Sequence, residues 1–188
     1  MMHSLRHDAT PRSHAVTRAV HVDRRRGIAT HGREIFVADS RNHRIQVFSQ
    51  GQDDRVEVVR CFGGGESRTE GRFHLPSGVC VANGQLYVTE LGNERVQVLT
   101  LCGLWLQSLR CDGPVSGVCA DEEHVCTTSL EGCASLHTNP QRVHLLPSVA
   151  RFYRELSIAL SRGRLSVCPR RDHAITLWRK QSRLGALD

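Results

Sequence analysis

GIATHGREIFVADSRNHRIQVF, running from Gly27 to Phe48, decides the fold because the chain repeats it. It returns as GVCVANGQLYVTELGNERVQVL from Gly78 to Leu99. It returns in worn form as GVCADEEHVCTTSLEGCASL from Gly117 to Leu136, and as SIALSRGRLSVCPRRDHAITLW from Ser157 to Trp178. The openings lie 51, 39 and 40 residues apart. A period near 40 made of short strands and tight turns marks a β-propeller blade. A propeller is a scaffold that holds a partner, so the chain reads first as a binder.

Each copy carries its own hairpin logic. In the second, Val79 and Val81 lead to Asn83-Gly84, and Leu86-Tyr87-Val88 runs back. Asn-Gly between apolar runs favours a tight hairpin because both residues accept positive φ. Turns are likewise expected at His31-Gly32 and Arg162-Gly163. Third strands follow over 44–48, 95–99 and 174–178, their apolar residues alternating with polar ones as in a sheet with one buried face. Outer fourth strands are expected over 56–62 and 104–109, with a weaker one over 143–146. The second strand of each blade, carrying Phe36-Val37, Tyr87-Val88 and Leu165 to Val167, is expected to be the most buried.

These residues carry a resemblance. VADSRNHRIQVF, preceded by Gly27-Ile28-Ala29 and followed by FGGGESRTEGRFHLPSGV, resembles the NHL repeat. Blades of that family read P-x-G-V-A-V, then Y-V-A-D, then N-H-R-I-Q-V-F. Gly27, Asp39, Asn42 and His43 match in the first copy; Gly78, Asn93 and Arg95 match in the second. The third keeps Gly117 and its spacing. The fourth has Pro169 at the blade's acid position and Ala174 at its Arg position. The resemblance implies an all-β propeller, or partial propeller, of about four four-stranded blades. The boundaries are a basic tail over 1–14, blades over 27–77, 78–116, 117–156 and 157–178, and a C-terminal tail over 179–188. Residues 15–22 are expected to complete the last blade by pairing with 174–178. Unpaired edges of an open arc would instead invite self-association.

The 188 residues suit one domain with a real core. No run approaches 18 apolar residues, so no transmembrane helix is expected. The first 18 residues lack the apolar stretch of a secretory signal and read as a solvated basic tail, with a transit peptide as the alternative. A cytoplasmic location is expected. None of the eight cysteines forms a C-x-x-C, so zinc-module spacing is missing. The repeats therefore read as TRIM-NHL-like but without the RING or B-box part. Cys80 and Cys119 stand where the other copies place Ala29 and Ala159, which points to a small, buried, reduced side chain.

Charge is segregated: residues 1–50 carry +5, 51–141 carry −6 and 142–188 carry +7. Arg24, Arg25, Arg26, Arg41, Arg44, Arg170 and Arg171 are the candidate partner-binding or RNA-binding residues, since Arg forks fit phosphates. Few aromatics accompany them to stack bases, so a protein partner ranks ahead of RNA. The histidines do not pair at metal-ligand spacing, FGGGES lacks the Lys of a phosphate loop, and no nucleophile elbow occurs. No catalytic residue, metal or cofactor is assigned. A propeller lyase or hydrolase and a truncated gene copy stand as further alternatives. Asp39 with Arg44, and Glu90 with Arg95, read as a recurring structural pair.

Overall fold

The computed structural model describes residues 25–52, 55–111, 113–122, 124–129, 132–137, 143–145, 156–161, 164–169 and 176–179. They form four antiparallel sheets. The first contains β1 (Arg25–His31), β2 (Glu34–Asp39), β3 (Arg44–Gln50) and β4 (Val56–Gly63), in that order. The second contains β5 (Pro76–Ala82), β6 (Gln85–Glu90), β7 (Arg95–Thr100) and β8 (Trp105–Arg110). The third contains β9 (Val115–Ala120), β10 (His124–Ser129), β11 (Gly132–His137) and β12 (Val143–Leu145). The fourth shows β13 (Leu156–Ser161), β14 (Arg164–Pro169) and β15 (Thr176–Arg179). Each sheet is an up-and-down meander, and β1 packs on β5, β5 on β9, and β9 on β13. Among the described residues no comparable packing joins β13 back to β1. The fold is all-β, a propeller-like succession of blades.

The hairpin signal at Asn83-Gly84 is met: both residues take positive φ, 51° and 69°, between β5 and β6. In the first blade the turn falls on Gly32-Arg33, one residue later than expected. His31 instead pairs with Glu34 as the last rung of the β1–β2 ladder. Residues 162–163, 15–22 and 174–175 lie outside the described residues, and with them the expected fourth-blade turn and closing pairing. The third blade departs from its neighbours. Ser129 pairs directly with Gly132, leaving two residues between strands, whereas four separate Asp39 from Arg44 and Glu90 from Arg95.

The expectation of one buried sheet face is corrected. Runs of consecutive residues are buried in the middle strands: Phe36 to Asp39 in β2, Leu86 to Glu90 in β6, Val96 to Leu99 in β7. A strand turns successive side chains to opposite faces, so both faces are covered. The contacts show by what. Phe36, Ala38, Ile45, Val47, Phe62 and Phe73 of the first blade and its exit loop pack against Val79, Leu86, Val88 and Leu99. The other face of the second blade, with Tyr87, Val96 and Val98, packs against Val118 and Val125 of the third. Blade-on-blade contact is thus the core; the second strand of the first three blades, β2, β6 and β10, is deeply buried, while the side chains of Leu165 and Val167 in β14 lie outside the described residues.

The opening glycines of the first two repeats set how closely blades approach. A Cβ on Gly27 would stand 2.6 Å from the Val79 amide nitrogen and 2.8 Å from the Ser77 carbonyl. One on Gly78 would meet Thr89 Oγ1 at 2.7 Å, the Ser116 carbonyl at 2.8 Å and the Val118 nitrogen at 3.0 Å. Hydroxyls then stitch the innermost strands together. Ser40 Oγ donates to the Pro76 carbonyl, and Ser77 Oγ to the Val115 carbonyl at 3.0 Å. Thr89 Oγ1 accepts from the Gly78 amide at 2.7 Å and stands 3.2 Å from the Ser116 carbonyl. Gly78→Ala is therefore expected to push two blades apart and cost about 1–3 kcal/mol. A urea-unfolding midpoint unchanged from the parent would contradict this packing.

Candidate functional site

The chain's most organised chemistry is a buried carboxylate at the end of the second strand in each of the first two blades. Asp39 and Glu90 are both 0% exposed. Asp39 accepts from Asn42 Nδ2 at 2.9 and 3.0 Å, from Arg44 Nε at 2.8 Å and from Gln46 Nε2 at 2.8 Å. Glu90 accepts from Asn93 Nδ2 at 2.7 Å, Arg95 Nε at 2.5 Å and Gln97 Nε2 at 2.9 Å. The offsets from the acid are three, five and seven residues in both blades.

Local structure explains the offsets. Asp39 lies directly across from Arg44, and Glu90 across from Arg95, so each Arg shares its acid's sheet face. Two residues further on, Gln46 and Gln97 return to that same face. The four-residue connection supplies the Asn, and His43 and Glu94 close it with a left-handed φ of 52°. In the first blade residues 40–42 form one 3₁₀ turn. A buried charge is tolerated because both oxygens of each carboxylate accept hydrogen bonds.

The longer side chain of Glu90 also reaches the backbone of another segment. Its Oε1 also accepts from the backbone amide of His74 at 2.8 Å, in the loop that joins the first blade to the second. The partners of Glu90 hold the same loop. Arg95 donates to the carbonyls of Arg68, Thr69 and Arg72 at 3.0, 3.1 and 3.2 Å. Gln97 accepts from the Gly71 amide at 2.8 Å and donates to the Arg72 carbonyl at 2.5 Å. Asn93 reaches the Ser67 carbonyl at 2.9 Å. His43 Nδ1 accepts from the Leu75 amide at 3.2 Å, tying the loop to the first blade as well. FGGGES is thus the start of an inter-blade loop clamped by both blades.

The node stops after two blades for visible reasons. In the third, Ser129 replaces the acid, and the shortened connection leaves no place for the Asn. In the fourth, Pro169 ends β14 and Thr176 pairs with Val167, where Gln46 and Gln97 pair with Val37 and Val88. The NHL repeat model matches residues 26–48 and 73–99, the two stretches that hold the nodes. Both stretches are similar to the NHL repeat. No curated protein matches the chain. Among solved structures it is similar to the computationally designed Ika4 protein, at 12% identity and a TM-score of 0.61. That match covers 85% of this chain and 93% of the other, and at such identity it speaks for the fold alone.

Several sequence-selected residues prove to be parts of the repeat's own frame. Asp39, Asn42, His43, Asn93 and Arg95 belong to the nodes and the loop they hold, while Gly27 and Gly78 are blade contacts. Gly117 donates its amide to Thr128 Oγ1 at 3.0 Å. Arg44 is half-buried with Nε committed to Asp39. Arg41 is exposed on the 3₁₀ turn, and Arg25 and Arg26 open β1 at the same end of the sheet. Arg24, Arg170 and Arg171 lie outside the described residues. Sequence reading missed Gln46, Gln97 and His74; the two glutamines carry a usable signal, since they recur at one offset.

Around the nodes lies one face of the disc, formed by the connections after β2 and β6 and by loop 63–75. A cleft of about 570 Å³ opens there on the second blade. Arg68, Glu70, Glu94 and Arg110 stand round it beside Arg95 and Ser108. A second cavity, about 520 Å³, lies on the axis between β1, β5, β9 and β13. Its described lining is small and neutral: alanines, valines, glycines and the thiols of Cys80 and Cys119 among them.

The cysteine position is also corrected in part. Ala29, Cys80, Cys119 and Ala159 pair with Phe36, Tyr87, Cys126 and Ser166, so the equivalence is real. Their burial differs, however, since Ala159 is exposed whereas Cys119 is buried; lining the axial cavity is what they share. Cys61, Cys80, Cys102, Cys111, Cys119 and Cys126 are thiols and not disulfide-bonded. Burial, with the nearby Cys126 thiol, pushes Cys80 up to about 12, and the hydrogen bond with Cys126 together with burial pushes Cys119 up further still.

Two outcomes follow from these contacts. Glu90→Ala strips the shared acceptor from Arg95, Asn93, Gln97 and the His74 amide, and is expected to cost about 3–5 kcal/mol. A smaller loss on thermal or denaturant unfolding would demote the node to decoration. The raised thiol works in the opposite pH range. In the folded chain Cys80 stays protonated where the unfolded chain ionises, so its stabilisation is complete below pH about 9 and is lost as pH rises toward about 12. Stability measured across that window should fall, and should fall less steeply in Cys80→Ala.

Proposed function

We propose that the chain is a non-catalytic NHL-repeat scaffold that binds a protein partner on the face carrying the nodes. NHL repeats are commonly protein-interaction scaffolds, and this face is held rigid by the clamped loop. The observation that carries the reading is the cleft on the second blade. Arg68, Glu70, Glu94 and Arg110 surround it with both signs of charge and make no ion pairs with one another among the described contacts. A mixed rim suits a protein surface, whose charges are also mixed, better than a polyanion.

The RNA reading keeps a specific support, the exposed Arg41 beside the Arg25-Arg26 start of β1. Arg170 and Arg171 are its sequence-selected companions. Arg44 is better left out of its tests, because removing it would orphan the buried Asp39. TRIM-NHL-like kinship and a cytoplasmic location belong to the same proposal; no helix among the described residues is long and apolar enough to cross a membrane.

Charge reversal of the cleft, Arg68→Glu with Arg110→Glu, tests the first reading. Partners cross-linked to the parent protein should be lost, while the circular-dichroism spectrum and melting curve stay as in the parent. In parallel, titration with mixed single-stranded RNA over a salt series should show little binding. A steep salt slope there, flattened by replacing Arg41, Arg170 and Arg171 with Ala, would replace the protein reading by the RNA one.

A further inference from the structure

Two cysteines of the third blade face each other across a strand pair. Cys119 of β9 lies directly opposite Cys126 of β10, so both side chains leave the same face of the sheet. Their thiols share a hydrogen bond. They are 7% and 4% exposed, and Cys119 also lines the axial cavity of about 520 Å³.

Backbone geometry decides what such a pair can do. The Asp121 amide donates to the His124 carbonyl at 3.0 Å, which makes that rung a bonded one. Two residues along, alternation makes Cys119–Cys126 a bonded rung as well. Gly117, two residues further, likewise turns its amide toward β10, where Thr128 Oγ1 accepts it. Bonded rungs are the wider kind, with Cβ atoms about 5 Å apart, whereas a disulfide draws them to roughly 3.8 Å. The two sulfurs are thus better placed to share a third atom than to bond to each other. Among the described residues no group of three or more His, Cys, Asp and Glu is arranged to hold a metal ion. The pair therefore offers two ligands, too few for tetrahedral zinc.

Charge narrows the choice of ligand further. Burial and the shared hydrogen bond keep the Cys119 thiol uncharged, and the described lining of the cavity is neutral. A soft cation would first have to expel both thiol protons and bring its charge into that setting. We propose that Cys119 and Cys126 form a dithiol site for trivalent organoarsenicals, with the arsenic substituent lodged in the axial cavity. Two As–S bonds form, the As=O bond breaks, and both thiol protons leave on that oxygen as one water. No atom changes oxidation state, and reactants and products are all uncharged, as the surroundings favour. An apolar cavity of about 150 Å³ holds a benzene ring, so an aryl group has room beside Val79, Val81 and Ala120.

Phenylarsine oxide and the reduced full chain test this by native mass spectrometry and calorimetric titration, with circular dichroism confirming that each variant is folded. The parent should take up one equivalent tightly. Excess dimercaptopropanol should strip it, whereas excess mercaptoethanol should not, because a monothiol cannot match a chelate. Cys119→Ala and Cys126→Ala should each weaken capture roughly a hundredfold, because the second, intramolecular bond can no longer form. Serine at either position should do the same. Cys80→Ala, and the exposed pair Cys61→Ala with Cys102→Ala, should leave capture unchanged. A parent that takes up no arsenical overturns the proposal. So does capture undiminished by either alanine variant, or capture lost instead with Cys80 or with Cys61 and Cys102.

Discussion

The first half of this structure depends on a carboxylate that is out of water and fully bonded. Leaving a charge unpaired inside a protein is costly enough that the surroundings must be arranged around it. Around Glu90 that arrangement includes the blade's own hairpin and the loop arriving from the previous blade. One buried charge thereby fixes the conformation of a sheet end and the path of an inter-blade connection. Asp39, one methylene shorter, organises its own hairpin with the same three side-chain donors. Where the acid becomes Ser129 or Pro169, the repeat loses its signature because the reason for the signature is gone.

Between blades a different constraint operates. Sheet faces meet through interlocked apolar side chains, while innermost strands meet backbone to backbone across Gly27 and Gly78. Hydroxyls of Ser40, Ser77 and Thr89 bond across those close approaches, so polar backbone groups near the axis are satisfied without bulk. The equivalent position in the four copies, Ala29, Cys80, Cys119 and Ala159, lines the axial cavity.

These two devices divide the molecule by role. The axial cavity is neutral in its described lining, and the blade interfaces are apolar. The node face is where charged groups remain on view, including the mixed-charge cleft beside Arg95. Rigidity supplied from beneath is what makes such a surface useful for recognition, because little ordering entropy remains to be lost on binding.

Much of this was legible in the chain itself. Period, turn residues and the Gly-to-Phe phrase were sufficient for the all-β blade architecture, since alternation and Asn-Gly turns act over a few residues. The recurring acid and Arg were recognisable as a pair because they share one offset in two copies. What the sequence could not show depends on contacts across the repeat boundary. Gln46 and Gln97 look like solvent-facing positions of a half-buried strand, and only the neighbouring blade and the clamped loop bury them. The two-residue connection in the third blade was hidden because a worn repeat gives no anchor for its register. The burial of both sheet faces was likewise a tertiary decision: a strand's period of two says that its faces differ, whereas packing decides whether either face meets water.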